Sequence, residues 1–344
     1  MAVAETNRIG RIDLIDVHTH VVPESFPAYL GSRLGAPWPS MAPAQPCHRH
    51  VMVSGAIYRT VSHQCWDCSV RIADMDAQRV GWQVLSPMPE LLSYWMHPED
   101  GMAMCGYLNE VIATMVAKSP SRFLGLGAVP LQDVPLAIRE LERIMTDLGL
   151  SGVEIAGSVE GKVIGDPIFL PFFQAAASMG AAIFVHPLRP TGMERLVGPA
   201  ALEQVLAFPS ETGLAAASLI TGGTMDGLPG LRIAFSHGGG TLSALLPRLQ
   251  FAWNSLVPVR NAVPADPGSM ARRMYFDDLV YDAATIHRLI EVFGQTQIMA
   301  GTDYPFAIMD GDPAARIDSL NLSAEALAMV CSGNARRWLG LEAS

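Results

Sequence analysis

Charge is scarce in this chain. Asp, Glu, Lys and Arg make up 16% of its 344 residues, while 50% are hydrophobic. So little charge suggests that part of the surface is covered by another subunit, and the hydrophobic share suffices for a large core. What charge there is sums to −10. That speaks against nucleic acid as a partner, because phosphate binding needs a basic face. An anionic small molecule stays compatible, since a few local arginines can bind one inside an acidic protein. Cysteine is also sparse. Cys47, Cys65, Cys68, Cys105 and Cys331 form an odd, scattered set, which reads as reduced thiols and not as a disulfide framework. No stretch reaches the roughly 18 uninterrupted apolar residues of a membrane span. The opening MAVAETNRIGRIDLIDVHTH lacks the apolar core of a secretory signal. The expectation is a cytoplasmic protein with no membrane partner.

Short apolar runs recur, each with a helix-like segment before or after it. They lie at 12–17, 83–86, 123–129, 152–156, 181–186, 231–236, 273–277 and 297–300. Regular βα alternation predicts a parallel sheet with right-handed crossovers. Eight such units predict closure into a (β/α)8 TIM barrel. The Gly-rich turn of an open dinucleotide-binding sheet does not follow the first run. We read 1–344 as one barrel domain. The segment 21–64 fits no βα unit and is rich in Pro and Gly. It is expected to be a small insertion or lid over the barrel mouth, after strand one. The stretch 323–341 reads as two closing C-terminal helices.

The chemistry starts at Asp16-Val17-His18-Thr19-His20. In a strand, positions i and i+2 point to the same side, so His18 and His20 can share one ion at the C-terminal face, where barrel active sites sit. An HxH alone is weak evidence. Three further strand ends carry His186, His237 and Asp303. A lone histidine there is more often a hydrogen-bonded core residue, and a lone Asp more often a cap. Four strand ends bearing such residues are hard to explain by packing, because buried polar groups need partners. A metal would satisfy several at once. Three histidines and one carboxylate suit one Zn2+ per chain, with Mn2+ or Co2+ also able to occupy N/O sites.

Further motifs are IDLIDVHTH, CWDCSVRIADMDAQRVGWQVLS, AVPLQD, FVHP, FPSET, SHGGG, GTDYPF and SGNARRWLGL. With them the chain resembles the amidohydrolase superfamily, and within it the 2-amino-3-carboxymuconate-6-semialdehyde decarboxylases, nearly end to end. The resemblance implies metal ligands His18, His20, His186 and Asp303. It implies His237 as acid/base beside the metal, with Asp303 also sharing in catalysis. It implies substrate arginines at Arg59, in YRTVSHQCWD, and Arg248, in LLPRLQFAWN. The latter would reach the neighbouring site of a homodimer. The activity implied is a metal-dependent, non-oxidative decarboxylation of a carboxymuconate-semialdehyde-like or related unsaturated or aromatic carboxylic acid. Hydroxide at the metal would add and His237 would move the proton, in the catabolism of aromatic compounds. A hydroxybenzoate such as resorcylate is the variant substrate. A metal-dependent hydrolase or hydratase of a ring-cleavage product or lactone is the alternative, and a catalytically inactive binding barrel the last.

Two departures matter. The strand-four end, GVEIAGSVEG, holds Glu154 and no lysine, so the bridging carboxylated lysine of binuclear members is not expected. Where the close family has Trp-Asp after the strand-five His-Pro, this chain has Leu188 and Arg189. An aromatic is lost and a positive charge gained, which points to a different, more acidic substrate. A second, structural zinc from Cys47, His48, His50, Cys65 and Cys68 is disfavoured, because such sites need four well-placed ligands.

Overall fold

Aliphatic and β-branched residues dominate the short runs, and such residues suit strands buried on both faces. In the computed structural model, which describes residues 13–29, 31–190 and 192–341, all eight runs are strands. They are β1 (Ile15–Val21), β2 (Trp82–Pro87), β3 (Phe123–Ala128), β4 (Gly152–Ala156), β5 (Ala182–His186), β6 (Arg232–Phe235), β7 (Tyr275–Asp277) and β8 (Ile298–Met299). They pair in chain order in one parallel sheet. The sheet then curls back on itself. Val17 N donates to Ala300 O at 2.9 Å, His20 N donates to Tyr304 O at 2.7 Å, and Thr19 bridges to Tyr304. The result is a nearly closed (β/α)8 barrel, as expected. Ile12 and the outer ends of the 1–344 domain lie outside the described residues. β1 runs to Val21, further than predicted, so both of its histidines lie inside the strand.

Helices fill the crossovers. Aspartates open several of them: Asp67, Asp133 and Asp282 each accept hydrogen bonds from the first free backbone N–H groups, which stabilises a helix start. Among the described residues no helix is long and apolar enough to cross a membrane. The C-terminal stretch differs from expectation in one respect. Helices Ala324–Ala328 and Asn334–Leu339 are joined without a break by a wide π turn, Met329–Gly333. The junction residues keep right-handed helical angles, so two helices read as one continuous run.

The barrel interior is packed with Ile15, Val17, Val84, Leu126, Ala182, Phe184, Ala234 and Met299, together with Trp338 from the last helix. Trp338 is fully buried, and its indole N–H donates to Ile183 O at 3.3 Å. Its neighbours Ile15 and Ala182 begin their strands, so Trp338 closes the end of the barrel opposite the site. Trp338→Ala should lower stability by about 3–5 kcal/mol, read from the shift of a urea unfolding curve. A loss below about 1 kcal/mol would show that the interior can collapse around the gap.

The insertion forms an antiparallel sheet of Ser40–Pro43, His48–Val53 and Ala56–Ser62. The last two are joined through Ser54 and Gly55, with φ of 51° and 79°, angles that a two-residue hairpin turn requires. This small sheet carries Arg59 to the barrel mouth.

Candidate metal centre and active site

β1 presents His18 and His20 to the same side, with ring centroids 5.1 Å apart. His186 is the last residue of β5. Asp303 follows β8 at a φ of 66°, and its backbone N donates to His18 O at 2.9 Å. These four buried residues bring one ligand atom each to within 4.8 Å of one another. They form the only such group among the described residues. The five cysteines are free thiols.

How the imidazoles are held tells what the centre is for. Each of the three uses Nδ1 on a neighbour. His18 Nδ1 pairs with Asp277 Oδ2 at 2.7 Å, His20 Nδ1 with Pro87 O at 3.2 Å, and His186 Nδ1 with Pro187 O at 2.8 Å. That leaves Nε2 turned inward. His18 Nε2 and His20 Nε2 are buried without a hydrogen-bond partner, although Asp303 Oδ1 lies 2.9 Å from the latter. Buried polar atoms left unpaired are costly. Outer hydrogen bonds to Nδ1 are also what orients histidines as metal ligands. The donor set of three imidazoles and a carboxylate fits a divalent ion. Burial lowers His20 and His186, keeping them neutral and able to bind one. Burial also opposes charge on Asp303, but His20 and His18 outweigh it and hold the carboxylate down to about 2.

Asp277 was not anticipated from sequence. It ends β7, and besides His18 its Oδ1 accepts from Gly238 N at 2.8 Å and Leu279 N at 3.2 Å. The available signal was an acid at a strand end, the same signal that marks His186. Asp277→Ala should weaken metal binding by about 10–100-fold, measured by titration against a competing chelator. Unchanged affinity would mean that His18 needs no orienting partner.

His237 sits outside the group of four. Its ring centroid is 5.3 Å from that of His18 and 5.2 Å from that of His186, and its Nδ1 lies 3.1 Å from Ser236 Oγ. Burial, helped by His18, pulls it down to about 4, so it is neutral at pH 7 and can accept a proton. The backbone turns sharply after it. A Cβ on Gly240 would sit 1.9 Å from Pro209 O, which explains a glycine there.

His20, His186, His237 and Asp303 open onto one cavity of about 310 Å3. Arg59 lines it from the insertion, 4.4 Å from the centroid of Phe306, and Phe306 in turn stacks on His20 at 5.0 Å. Residues 15–341 match the amidohydrolase family. The chain belongs to that family. Over 330 residues, 95% of this chain and 92% of the relative, it is 34% identical to the 2-amino-3-carboxymuconate-6-semialdehyde decarboxylase of Dictyostelium discoideum. Among solved structures it is similar to the 5-carboxyvanillate decarboxylase of Sphingomonas paucimobilis. The TM-score is 0.78 at 24% identity, over 96% of this chain and 99% of that one. It is also similar to a dihydroxybenzoic acid decarboxylase from Polaromonas sp., solved with bound manganese and an inhibitor, 2-nitroresorcinol. There the TM-score is 0.72 at 24% identity, over 80% and 86% of the two chains. The expected amidohydrolase enzyme is met, and the carboxy-lyase names of these relatives agree with the expected reaction class.

Two other positions named from the sequence lie apart from the cavity of this amidohydrolase's own chain. Arg248, on helix Leu242–Ser255, is exposed and does not line the cavity of its own chain. Glu154 is fully buried in β4 and accepts from Ser86 Oγ at 2.6 Å. Burial pushes it up to about 8, which favours its neutral form at pH 7.

Proposed function

We propose that this amidohydrolase is a metal-dependent, non-oxidative decarboxylase of an unsaturated or aromatic carboxylic acid of the carboxymuconate-semialdehyde type. The observation that carries the reading is the cavity itself. Unpaired imidazole nitrogens and a carboxylate stand on one wall, with a guanidinium beside them. His18, His20, His186 and Asp303 would hold one divalent ion. Zn2+ suits the donor set, and Mn2+, the ion in the Polaromonas relative, or Co2+ can replace it. Such an ion, when bound, polarises oxygen ligands and lowers the pKa of a bound water.

The chain's own residues do the rest. Arg59 binds a substrate carboxylate through its planar fork, which matches that group in charge and geometry. Among the described residues no hydrogen bond or ion pair occupies its guanidinium, so the fork is available. His237 exchanges a proton at Nε2, because Nδ1 is turned to Ser236. The proton it returns replaces CO2 on the substrate carbon: the carbon–carboxyl bond breaks and a carbon–hydrogen bond forms. Asp303 can share a hydrogen bond in that exchange. Holding the reactants in this geometry supplies several kcal/mol of barrier lowering.

The chain acts in this reading as one barrel domain over 1–344, with 21–64 as its lid. It works in the cytoplasm, where its free thiols stay reduced, on a small carboxylate and not on nucleic acid or membrane. It also acts as a homodimer. Leu245, Phe251, Leu256 and Val257 are exposed around Arg248, and Leu245, Arg248 and Phe251 recur at a spacing that shares one helix face. Covering that face would carry Arg248 to the partner's cavity.

The test is CO2 release by the zinc-loaded protein from a panel of carboxymuconate semialdehydes and hydroxybenzoates. CO2 release supports the proposal. Turnover of a lactone or ring-cleavage product without CO2 would replace it with hydrolysis or hydration. For the dimer, Arg248→Ala and His237→Ala proteins, each inactive, are mixed. Random exchange between dimers should restore about a quarter of wild-type activity, because half the dimers are mixed and each has one intact site. No recovery in verified mixed dimers would refute a shared site.

A further inference from the structure

Two arginines line the cavity, and they are held differently. Arg59 lies on Phe306 with its donors unengaged. Arg189 stands on the loop that leaves β5 just after His186. Its neighbours Leu188 and Pro190 are buried, whereas its own side chain is 52% exposed. Its φ is 47°, a conformation disfavoured for any residue with a side chain. Such strain persists where the surroundings over-determine it, and it marks functional loops.

Here the surroundings are visible. The guanidinium lies 3.3 Å from the ring centroid of Trp95, and Nη2 donates to Glu90 Oε1 at 2.5 Å. Glu90 is buried on the short helix Pro89–Leu92 that follows β2. A buried carboxylate needs a partner, so it anchors Arg189 against the cavity wall. That single bond is the only hydrogen bond of the Arg189 side chain among the described residues. A guanidinium has five N–H donors, so most of the fork is unspent. Glu203 lines the same cavity. The charges of Arg59 and Arg189 are offset by those of Glu90 and Glu203 in the same lining, so this part of the cavity selects an anion through directed donors more than through net field.

We propose that Arg189, held on Trp95 by Glu90, is the specificity-determining residue that selects substrates carrying a second carboxylate. This rests on the reading of the cavity as a carboxylic-acid site, with the first carboxylate at Arg59 and the His/Asp centre. A site built to hydrogen-bond one group rejects an analogue lacking it, because its donors are then left unpaired.

The test is equilibrium binding to zinc-loaded protein by titration calorimetry. Two ligand pairs are compared: trans,trans-muconate with sorbate, and isophthalate with 3-methylbenzoate. In each pair a methyl group replaces the second carboxylate. The wild type should prefer at least one diacid by about tenfold or more. Arg189→Leu should abolish that preference while the monoacid Kd stays put, and Arg59→Leu should weaken both members equally. Should Arg189→Leu also lose the monoacid, Arg189→Gln, which keeps a planar group over Trp95, decides by the same ratio. No diacid preference in the wild type, or a preference that survives both Arg189 variants, overturns the proposal. Binding needs no turnover, so the two readings fail separately. A preference without CO2 release would sink the decarboxylase and leave Arg189 its role. CO2 release without a preference would do the reverse.

Discussion

His237→Ala is expected to lower turnover by about two to four orders of magnitude and to leave metal content at the wild-type level. His237 is buried, faces the cavity and is neutral at pH 7, since burial and His18 hold it near 4. A neutral imidazole beside the centre can take and return a proton. It contributes no atom to the group of four ligands, and its Nδ1 is engaged by Ser236. Removing it should therefore take away the proton carrier and leave the ion's cradle. Elemental analysis and a turnover assay on the same preparation decide the matter. Loss of the metal along with activity would make His237 a ligand.

His186→Ala should give the opposite pair of results: metal gone and activity gone together. The two residues look alike in sequence, each a histidine at a strand end. Their rings are 5.2 Å apart, and burial lowers both. The difference is what each nitrogen faces. His186 Nδ1 is used by Pro187 O at 2.8 Å, so Nε2 is presented to the centre with His18, His20 and Asp303. Deleting it leaves three of four donors. The metal-free protein should stay folded, because imidazole contacts are few beside a core as large as this one. A normal unfolding transition with less than about one-tenth of the metal would be the signature. Retained stoichiometric metal would remove His186 from the ligand set.

Much of this centre was legible in the residues. Period-two alternation in a buried strand already places His18 and His20 on one side, and the βα rhythm already places strand ends at one face. Arg59 could be picked out by its motif, and the cavity includes it. Other parts were not legible. Asp277 lies 259 residues from His18, and nothing local says that β7 would set its carboxylate against that imidazole. Arg189 was visible as a departure, but its stacking on Trp95 and its pairing with Glu90 bring together three segments of the chain. The wide helical turn at Met329–Gly333 was likewise hidden, because a glycine such as Gly333 reads as a helix break and does not signal a π turn.

By itself the sequence determined the barrel, the strand-end histidines and the aspartate, because periodicity and strand-end position are local properties of the chain. Which nitrogen of each histidine is free to bind, and which arginine is already engaged, only the tertiary structure decided. Those depend on hydrogen-bond partners supplied by distant strands, and a buried donor or acceptor takes whichever partner the closed barrel puts within reach.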